Sequence, residues 1–299
     1  MARIIMYFLL QDVKGITFAF RFYIYVVQDA TNNKGLPMMR SLYTATTGML
    51  GQQLQIDTTS NNIANVNTIG FKKQRAEFAD LFYQVLQYAG TSTSETTISP
   101  TGIEVGIGVR PISVQKMFSQ GHPKETENNL DIAITGNGFF QIQLPDGNIA
   151  YTRAGSFKLD SEGNVVTPEG YQLIPNITIP ENTTQINIGT DGTVSVLEGN
   201  QTEVNVLGQI EIVNFVNPAG LHALGDNLLI NTNASGEPIA GVPGIDGFGQ
   251  LRQGFIELSN VKLVEEMTDL ITGQRAYEAN SKTIQTADAM LQTVNGLKR

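Results

Sequence analysis

The residue types that carry most enzyme chemistry are scarce in this chain and badly spaced. His122 and His222 are its only histidines and stand a hundred residues apart. Asp160, Glu162 and Asn164 alternate like the first ligands of a calcium loop. Such a loop also needs a glycine at its sixth position and a closing Glu at its twelfth; Val165 and Tyr171 stand there, so the segment reads as a hairpin turn. Gly136-Asn137-Gly138-Phe139-Phe140 opens like a glycine-rich fingerprint but lacks the third glycine. It also leads into a strand, so it offers no helix N-terminus to a phosphate. There is no nucleophile elbow, Walker loop or His-Glu-x-x-His. The chain has no cysteine, which excludes disulfides, thiolate catalysis and Cys-ligated zinc. The expectation is a protein that is not an enzyme, with no catalytic residue, no cofactor and no metal site.

The densest cluster of polar backbone-binding side chains is SNNIANVNTIGFKK at residues 60–73, with four asparagines in its first eight positions. Asparagine is poor helix interior and good turn material, because its amide bonds to local backbone and tolerates left-handed geometry. Asn65, Asn67 and Gly70 are therefore expected to stop a helix, and Phe71 to anchor the turn in apolar surroundings; Asn61, Asn62, Asn65, Gly70 and Phe71 make up the signature turn. Lys72, Lys73 and Arg75 follow, where positive charge beside a helix C-terminus is favourable. The physical task of such a motif is to fix the angle between a helix and whatever comes next.

Two terminal segments must hold that joint. Apolar residues recur every seven positions at Leu42, Met49, Ile56 and Ile63, and again at Leu263, Leu270, Tyr277, Ile284 and Leu291. A sustained seven-residue repeat keeps one seam of a helix facing a partner. The next seam position is often polar (Thr46, Gln53, Ser60; Gln274, Ser281, Asp288), so the seams are narrow. Periodicity alone leaves open whether these helices form a coiled coil or lie on a globular core.

The middle of the chain alternates with period two and is punctuated by turns. Phe140–Leu144, the turn Pro145-Asp146-Gly147-Asn148 and Ile149–Thr152 form a hairpin signal. A second hairpin spans 157–166, and strands are expected at 185–188, 193–196 and 209–212. The pattern suggests a sandwich or barrel-like domain. Residues 89–102, AGTSTSETTISPTG, are small and hydroxylated, a linker or an extended arm. The expected fold is α+β: paired long terminal helices, coiled-coil-like, flanking a mainly antiparallel β domain. Its parts would be an extension at 1–37, helix and turn at 38–82, arm at 83–104, β domain at 105–255 and C-terminal helix at 256–299.

Charged residues make up 16% of the chain against roughly 25% for ordinary soluble proteins. The low charge hints at surfaces that tolerate burial against neighbours. The net charge of −9 argues against nucleic acid, which needs a basic footprint. The apolar start, MARIIMYFLLQDVKGITFAFRFYIYVV, is broken by Gln11, Asp12, Lys14 and Arg21, leaving no uncharged run near the ~18–20 residues of a span. It also lacks a cleavage site of small residues, so residues 1–37 read as an upstream extension outside the coherent protein.

Met38-Met39-Arg40-Ser41-Leu42-Tyr43, the motif Ser60–Lys72 and the block Ser259-Asn260-Val261 with Gln274–Lys282 together resemble the bacterial flagellar axial proteins, the rod and hook family. The resemblance covers nearly everything after Pro37. Phe82-Tyr83-Gln84, Ser94–Thr97 and Pro100-Thr101-Gly102, with Gly138–Gln141 and Tyr151–Phe157, are similar to distal rod subunits in particular. The resemblance implies export through the flagellar type III apparatus without a cleaved signal peptide. It implies helical self-assembly into a hollow drive shaft that spans the periplasm at the basal body. It also implies contacts with proximal rod, hook or hook-junction subunits and with the P- and L-ring proteins. A proximal rod or hook subunit shares the same motifs. A secreted β-rich binding module is the alternative from another class.

Overall fold

The computed structural model describes residues 37–90, 99–199 and 204–297. The reading of the N-terminal extension lies outside the described residues, as does that of most of the hydroxylated stretch. Two long helices, α1 (Pro37–Ala64) and α2 (Leu263–Leu297), flank a mainly antiparallel β region. Proline at the first position of α1 suits a helix start, where its missing N–H has no partner to lose. Glu265 and Glu266 in the first turn of α2 complement the positive end of the helix dipole. The chain divides into two compact units.

The first unit holds the described residues up to Thr47, Leu81–Gly108 and those from Asn280 onward. Strand Tyr83–Gln87 pairs antiparallel with Ile103–Gly106, with a register shift between Val85 and Gln87. Arg40 donates to Gln84 Oε1 (3.0 Å) and the Thr44 hydroxyl to the Ile107 carbonyl (3.2 Å), strapping the start of α1 to this ribbon. Phe82, Tyr83, Leu86, Tyr88 and Ile103 are exposed along it.

The second unit holds Gly48–Asp80 and Val109–Ala279. Its main sheet has nine strands, and a separate three-stranded sheet is formed by Thr183–Ile188, Thr193–Glu198 and Val204–Gln209. Alternation along the main sheet sorts residues onto two faces. Phe140, Ile142, Ala150, Ile212 and Leu228 enter the large core, which Ile188, Val194 and Val196 of the three-stranded sheet close from the other side. Their chain neighbours Phe139, Tyr151, Val213 and Leu229 form a second cluster with Phe215 and Leu221. Edge-to-face pairs, Phe140 with Phe157 at 5.2 Å and Tyr151 with Phe215 at 4.8 Å, add directional preference to the area buried.

The arrangement is layered, with no closed barrel among the described strands. The hairpin at 140–152 forms with Gln143 opposite Ile149. The expected strand at 209–212 does not form as one piece. One strand ends at Gln209 and another begins at Ile212. Between them Ile210 is buried and donates its N–H to the Gly192 carbonyl (2.8 Å) as the chain passes between sheets. Period-two alternation cannot reveal such a break, because both halves obey it.

Candidate functional site: a buried charged joint

Among the described residues no cluster of acids and histidines could hold a metal ion. The site with the most concentrated polar chemistry is the joint where the end of α1, the start of α2 and the β region meet within the second unit. α1 stops at Ala64, and the Asn65 N–H still reaches the Asn61 and Asn62 carbonyls at 3.2 Å each. The Asn65 amide donates to Asn61 O (3.0 Å) and Asn61 Oδ1 (2.7 Å), and its Oδ1 accepts from the Thr68 hydroxyl (3.1 Å). These bonds use carbonyl and amide capacity that a helix end leaves free.

Asn62 does something its spacing does not disclose. It is 1% exposed and clamps Gln74 by both backbone groups: its Nδ2 donates to Gln74 O and its Oδ1 accepts from Gln74 N–H, both at 2.8 Å. The same Nδ2 donates to Glu266 Oε2 (3.0 Å) in the first turn of α2. Lys73 Nζ meets Glu266 Oε1 as a close ion pair. Asn260 completes this layer by accepting from Lys73 N–H (2.7 Å) and donating to the Met117 carbonyl (2.8 Å).

Gly70 carries the chain past the β region. Its φ is +71°, and a Cβ there would lie 2.6 Å from Ala154 N, so only glycine fits both the left-handed backbone and the close approach. Its N–H donates to the Glu257 carbonyl (2.8 Å). Phe71 is buried, and so is Lys72.

Lys72, which follows the helix end, is buried rather than solvated. Its Nζ donates to Glu257 Oε1 (2.6 Å) and to the Ser119 carbonyl (2.8 Å). Glu257 Oε2 accepts from Arg153 Nε (2.9 Å), and its Oε1 accepts also from the Gly121 N–H (2.7 Å). The guanidinium then spreads over the Gly136 and Gly138 carbonyls at 2.8 and 2.7 Å. The glycine pair that resembles a phosphate fingerprint thus presents carbonyl oxygens to an arginine. The side chains of Lys72, Arg153 and Glu257 are 3%, 5% and 0% exposed, so the cluster is sealed from screening by salt.

Burial alone would push the Glu257 carboxyl up, but Arg153, Lys72 and the Gly121 N–H together hold it below its ordinary range. Burial draws the Lys72 ammonium down; Glu257 opposes that and Arg153 adds to it. Removing one member of a buried pair leaves an uncompensated charge, which typically costs about 3–5 kcal/mol. The arrangement therefore ties together the turn at 70–72, the 119–121 loop and the 153 and 257 positions. It presents no free nucleophile or base.

Arg153, Glu257, Asn260 and Glu266 were not among the expected joint residues. A signal existed for one: Glu266 lies four residues before Leu270, so a charge falls on the apolar face of a helix. Glu257 has no local signal, being 185 residues from Lys72 and 104 from Arg153.

The helical seam residues have a different character. A Cβ on Gly273 would lie 3.2 Å from Ile56 Cγ1, and Asn62 meets Glu266, so within this unit the helices run antiparallel. The buried positions of α2 are Glu266, Gly273 and Ala287, spaced by seven and fourteen with half-buried Asn280 between the last two, and α1 buries Ala45, Gly51, Thr58, Thr59 and Asn62. Of the expected seam positions, Leu42, Met49, Ile56, Ile63, Leu270, Ile284 and Leu291 are half-buried, while Leu263 and Tyr277 are exposed. Leu50, Val264, Met267, Ile271 and Met290 are also exposed.

Three family models match the chain: "Flagella basal body rod protein" at residues 42–72, "Flagellar hook protein FlgE/F/G D1 domain" at 133–196 and "Flagellar basal body rod FlgEFG protein C-terminal" at 252–297. The chain is 52% identical over 260 residues to the flagellar basal-body rod protein FlgG of Buchnera aphidicola subsp. Schizaphis graminum, covering 87% of this chain and 100% of that one. It is 53% identical to FlgG of Borreliella burgdorferi over 264 residues, 88% of this chain and 100% of the relative. FlgG of Caulobacter vibrioides is 51% identical over 261 residues, again 87% and 100%.

Proposed function

The chain belongs to the FlgG family of flagellar basal-body rod proteins, and from that premise we propose how it works as a structural subunit of the distal rod. Copies assemble helically into the hollow shaft that carries torque from motor to hook, and the subunit performs no catalysis. The observation that supports this mechanism is the contrast on α1 and α2, whose small residues are buried within one subunit while Leu50, Val264, Met267, Ile271 and Met290 stay open to solvent. Burying a large apolar side chain contributes roughly 1.5–3 kcal/mol, so several such residues per subunit supply a drive toward neighbours.

In this reading Leu42, Met49, Ile56, Ile63, Leu263, Leu270, Tyr277, Ile284 and Leu291 form a coiled-coil-like seam that completes itself between subunits. The signature turn, Asn61, Asn62, Asn65, Gly70 and Phe71, fixes the angle at which α1 leaves the β domain, and torque passes through that joint. Residues 38–82 and 256–299 make the inner helical domain, 83–104 an arm and 105–255 the outer domain. Proximal rod and hook or hook-junction subunits lie at the ends, the P- and L-ring proteins outside, and the type III apparatus delivers the subunit without a cleaved signal peptide.

The test is a cell carrying Leu270→Asp together with Ile284→Asp. The expected result is loss of motility and absence of the chain from purified hook–basal bodies, with the β domain still folded. Full motility of the double variant overturns the seam.

A further inference from the structure

The stretch Gly136-Asn137-Gly138, an incomplete phosphate fingerprint in the sequence, carries a chemistry of its own. Asn137-Gly138 is one of two Asn-Gly pairs in the chain, the other being Asn295-Gly296 within α2. In such a pair the glycine nitrogen can attack the asparagine side-chain carbon, because glycine places no Cβ in the way. The Asn137 side chain is exposed and makes no hydrogen bond to the described residues, and the Gly138 N–H has no backbone acceptor among them. Packing fixes glycine at 138: its φ is +142°, and a Cβ there would lie 2.9 Å from Ile212 Cδ1.

Both reacting groups are present, yet the three consecutive carbonyls around them are held. Arg153 Nη1 donates to Gly136 O (2.8 Å) and Gly138 O (2.7 Å), and the Gly249 N–H donates to Asn137 O (2.7 Å). The Gly136 N–H donates to Gln120 Oε1 (2.9 Å). A peptide unit is planar, so the Asn137 carbonyl and the Gly138 nitrogen turn as one body. Ring closure must turn that plane until the nitrogen faces the side chain. The turn pulls the Asn137 carbonyl off the Gly249 N–H and shifts the Gly138 carbonyl under Arg153. Arg153 is in turn oriented by Glu257, which accepts from its Nε (2.9 Å).

We propose that Asn137 is a deamidation site gated by the charged joint, closed while Glu257 holds Arg153 and open when that pair is lost. The gate belongs to the joint within one subunit and does not depend on assembly. The Gly138 nitrogen bonds to Asn137 Cγ, the bond from Cγ to the side-chain nitrogen breaks, and ammonia leaves with the Gly138 proton. Water then opens the succinimide ring to aspartate or isoaspartate, with no change of oxidation state. Isoaspartate adds a methylene to the main chain between the two carbonyls that Arg153 grips. A subunit that has reacted in this way cannot rebuild the same clamp, so the modification records past opening of the joint.

The experiment incubates purified full-length subunit at neutral pH as wild type, Glu257→Gln and Gln120→Ala, and as wild type in denaturant. Both Asn-Gly peptides are followed over time by mass spectrometry. Asn137 should convert severalfold more slowly in folded wild type than in denaturant, and Glu257→Gln should recover most of that difference. Gln120 is exposed, so Gln120→Ala keeps the fold and every charge of the joint while removing the acceptor of the Gly136 N–H; a smaller rise is expected. Asn295 reports opening elsewhere and should keep its wild-type rate in both variants. Three results each overturn the gate: folded wild type reacting at Asn137 as fast as the denatured chain, both variants matching wild type, or equal acceleration at Asn137 and Asn295.

Discussion

The β region and the terminal helices spend their apolar residues in opposite ways. Along Phe139–Gln143, Ile149–Thr152 and Leu228–Ile230, consecutive residues enter two different clusters, so both faces of the sheet are covered within one subunit. Along α2 the buried positions are Glu266, Gly273 and Ala287, while Val264 is 78% exposed and Met267 and Ile271 about half exposed. The centre of the sheet is covered by its own chain, with Leu224 and Ile239 left exposed on its outer strands and Ile149 at a strand start, whereas the helices leave their large apolar residues half-buried or open. A single subunit is therefore expected to have a stable centre and terminal helices that gain most of their packing from neighbours, since isolated helices owe little stability to propensity alone.

The sharpest way to probe that contrast is to damage the two regions in parallel. Phe140→Ala, in the saturated core, should destabilise the subunit by about 3–5 kcal/mol, read from denaturant unfolding followed by circular dichroism. A loss under 1 kcal/mol would mean the core is not the source of stability. Glu257→Ala strands Lys72 and Arg153 without their carboxylate, and a comparable loss of about 3–5 kcal/mol is expected.

Acid acts on the same carboxylate. The folded Glu257 is held below its unfolded value, so its contribution is complete above the ordinary carboxylate range near pH ~4.3. That contribution is lost as pH falls through the folded value. Lys72 stays protonated across that acid window and adds no slope. Wild type should lose stability between neutral pH and pH ~3 more steeply than Glu257→Gln; parallel pH profiles would remove Glu257 from the account.

Asn62→Ala leaves both Gln74 backbone groups and one Glu266 oxygen short of a partner, and a loss of about 1–3 kcal/mol should follow. At the small end, Leu263→Asp should shift subunit stability by no more than about 0.5 kcal/mol, since the residue is exposed at the start of α2 and an acid there suits the dipole. The same variant should reduce motility clearly. Large destabilisation of the isolated subunit by Leu263→Asp would erase the distinction between the two regions.

Much of this was legible beforehand because it is local. Seven-residue recurrence from Leu42 to Ile63 and from Leu263 to Leu291 located both helices, and Pro145-Asp146-Gly147-Asn148 located a hairpin. Asn65 and Gly70 announced the end of α1, since their backbone tolerance is a property of the residue itself. The passage at Ile210 was not legible, because alternation looks the same in one long strand and in two short ones that change sheets. The burial and pairing of Lys72 were not legible, because its position suggests only helix-end electrostatics and its partner stands 185 residues away.

The sequence by itself determined the element types and the helix stop, and its paired terminal motifs determined the family, because periodicity, turn chemistry and motif identity act over a few residues. Only the tertiary structure decided which charges are buried together and which apolar residues remain uncovered. Those are properties of distance and solvent exclusion among segments such as Lys72, Arg153 and Glu257. No local pattern encodes them, because electrostatic energy depends on the folded separation of charges and the polarity around them.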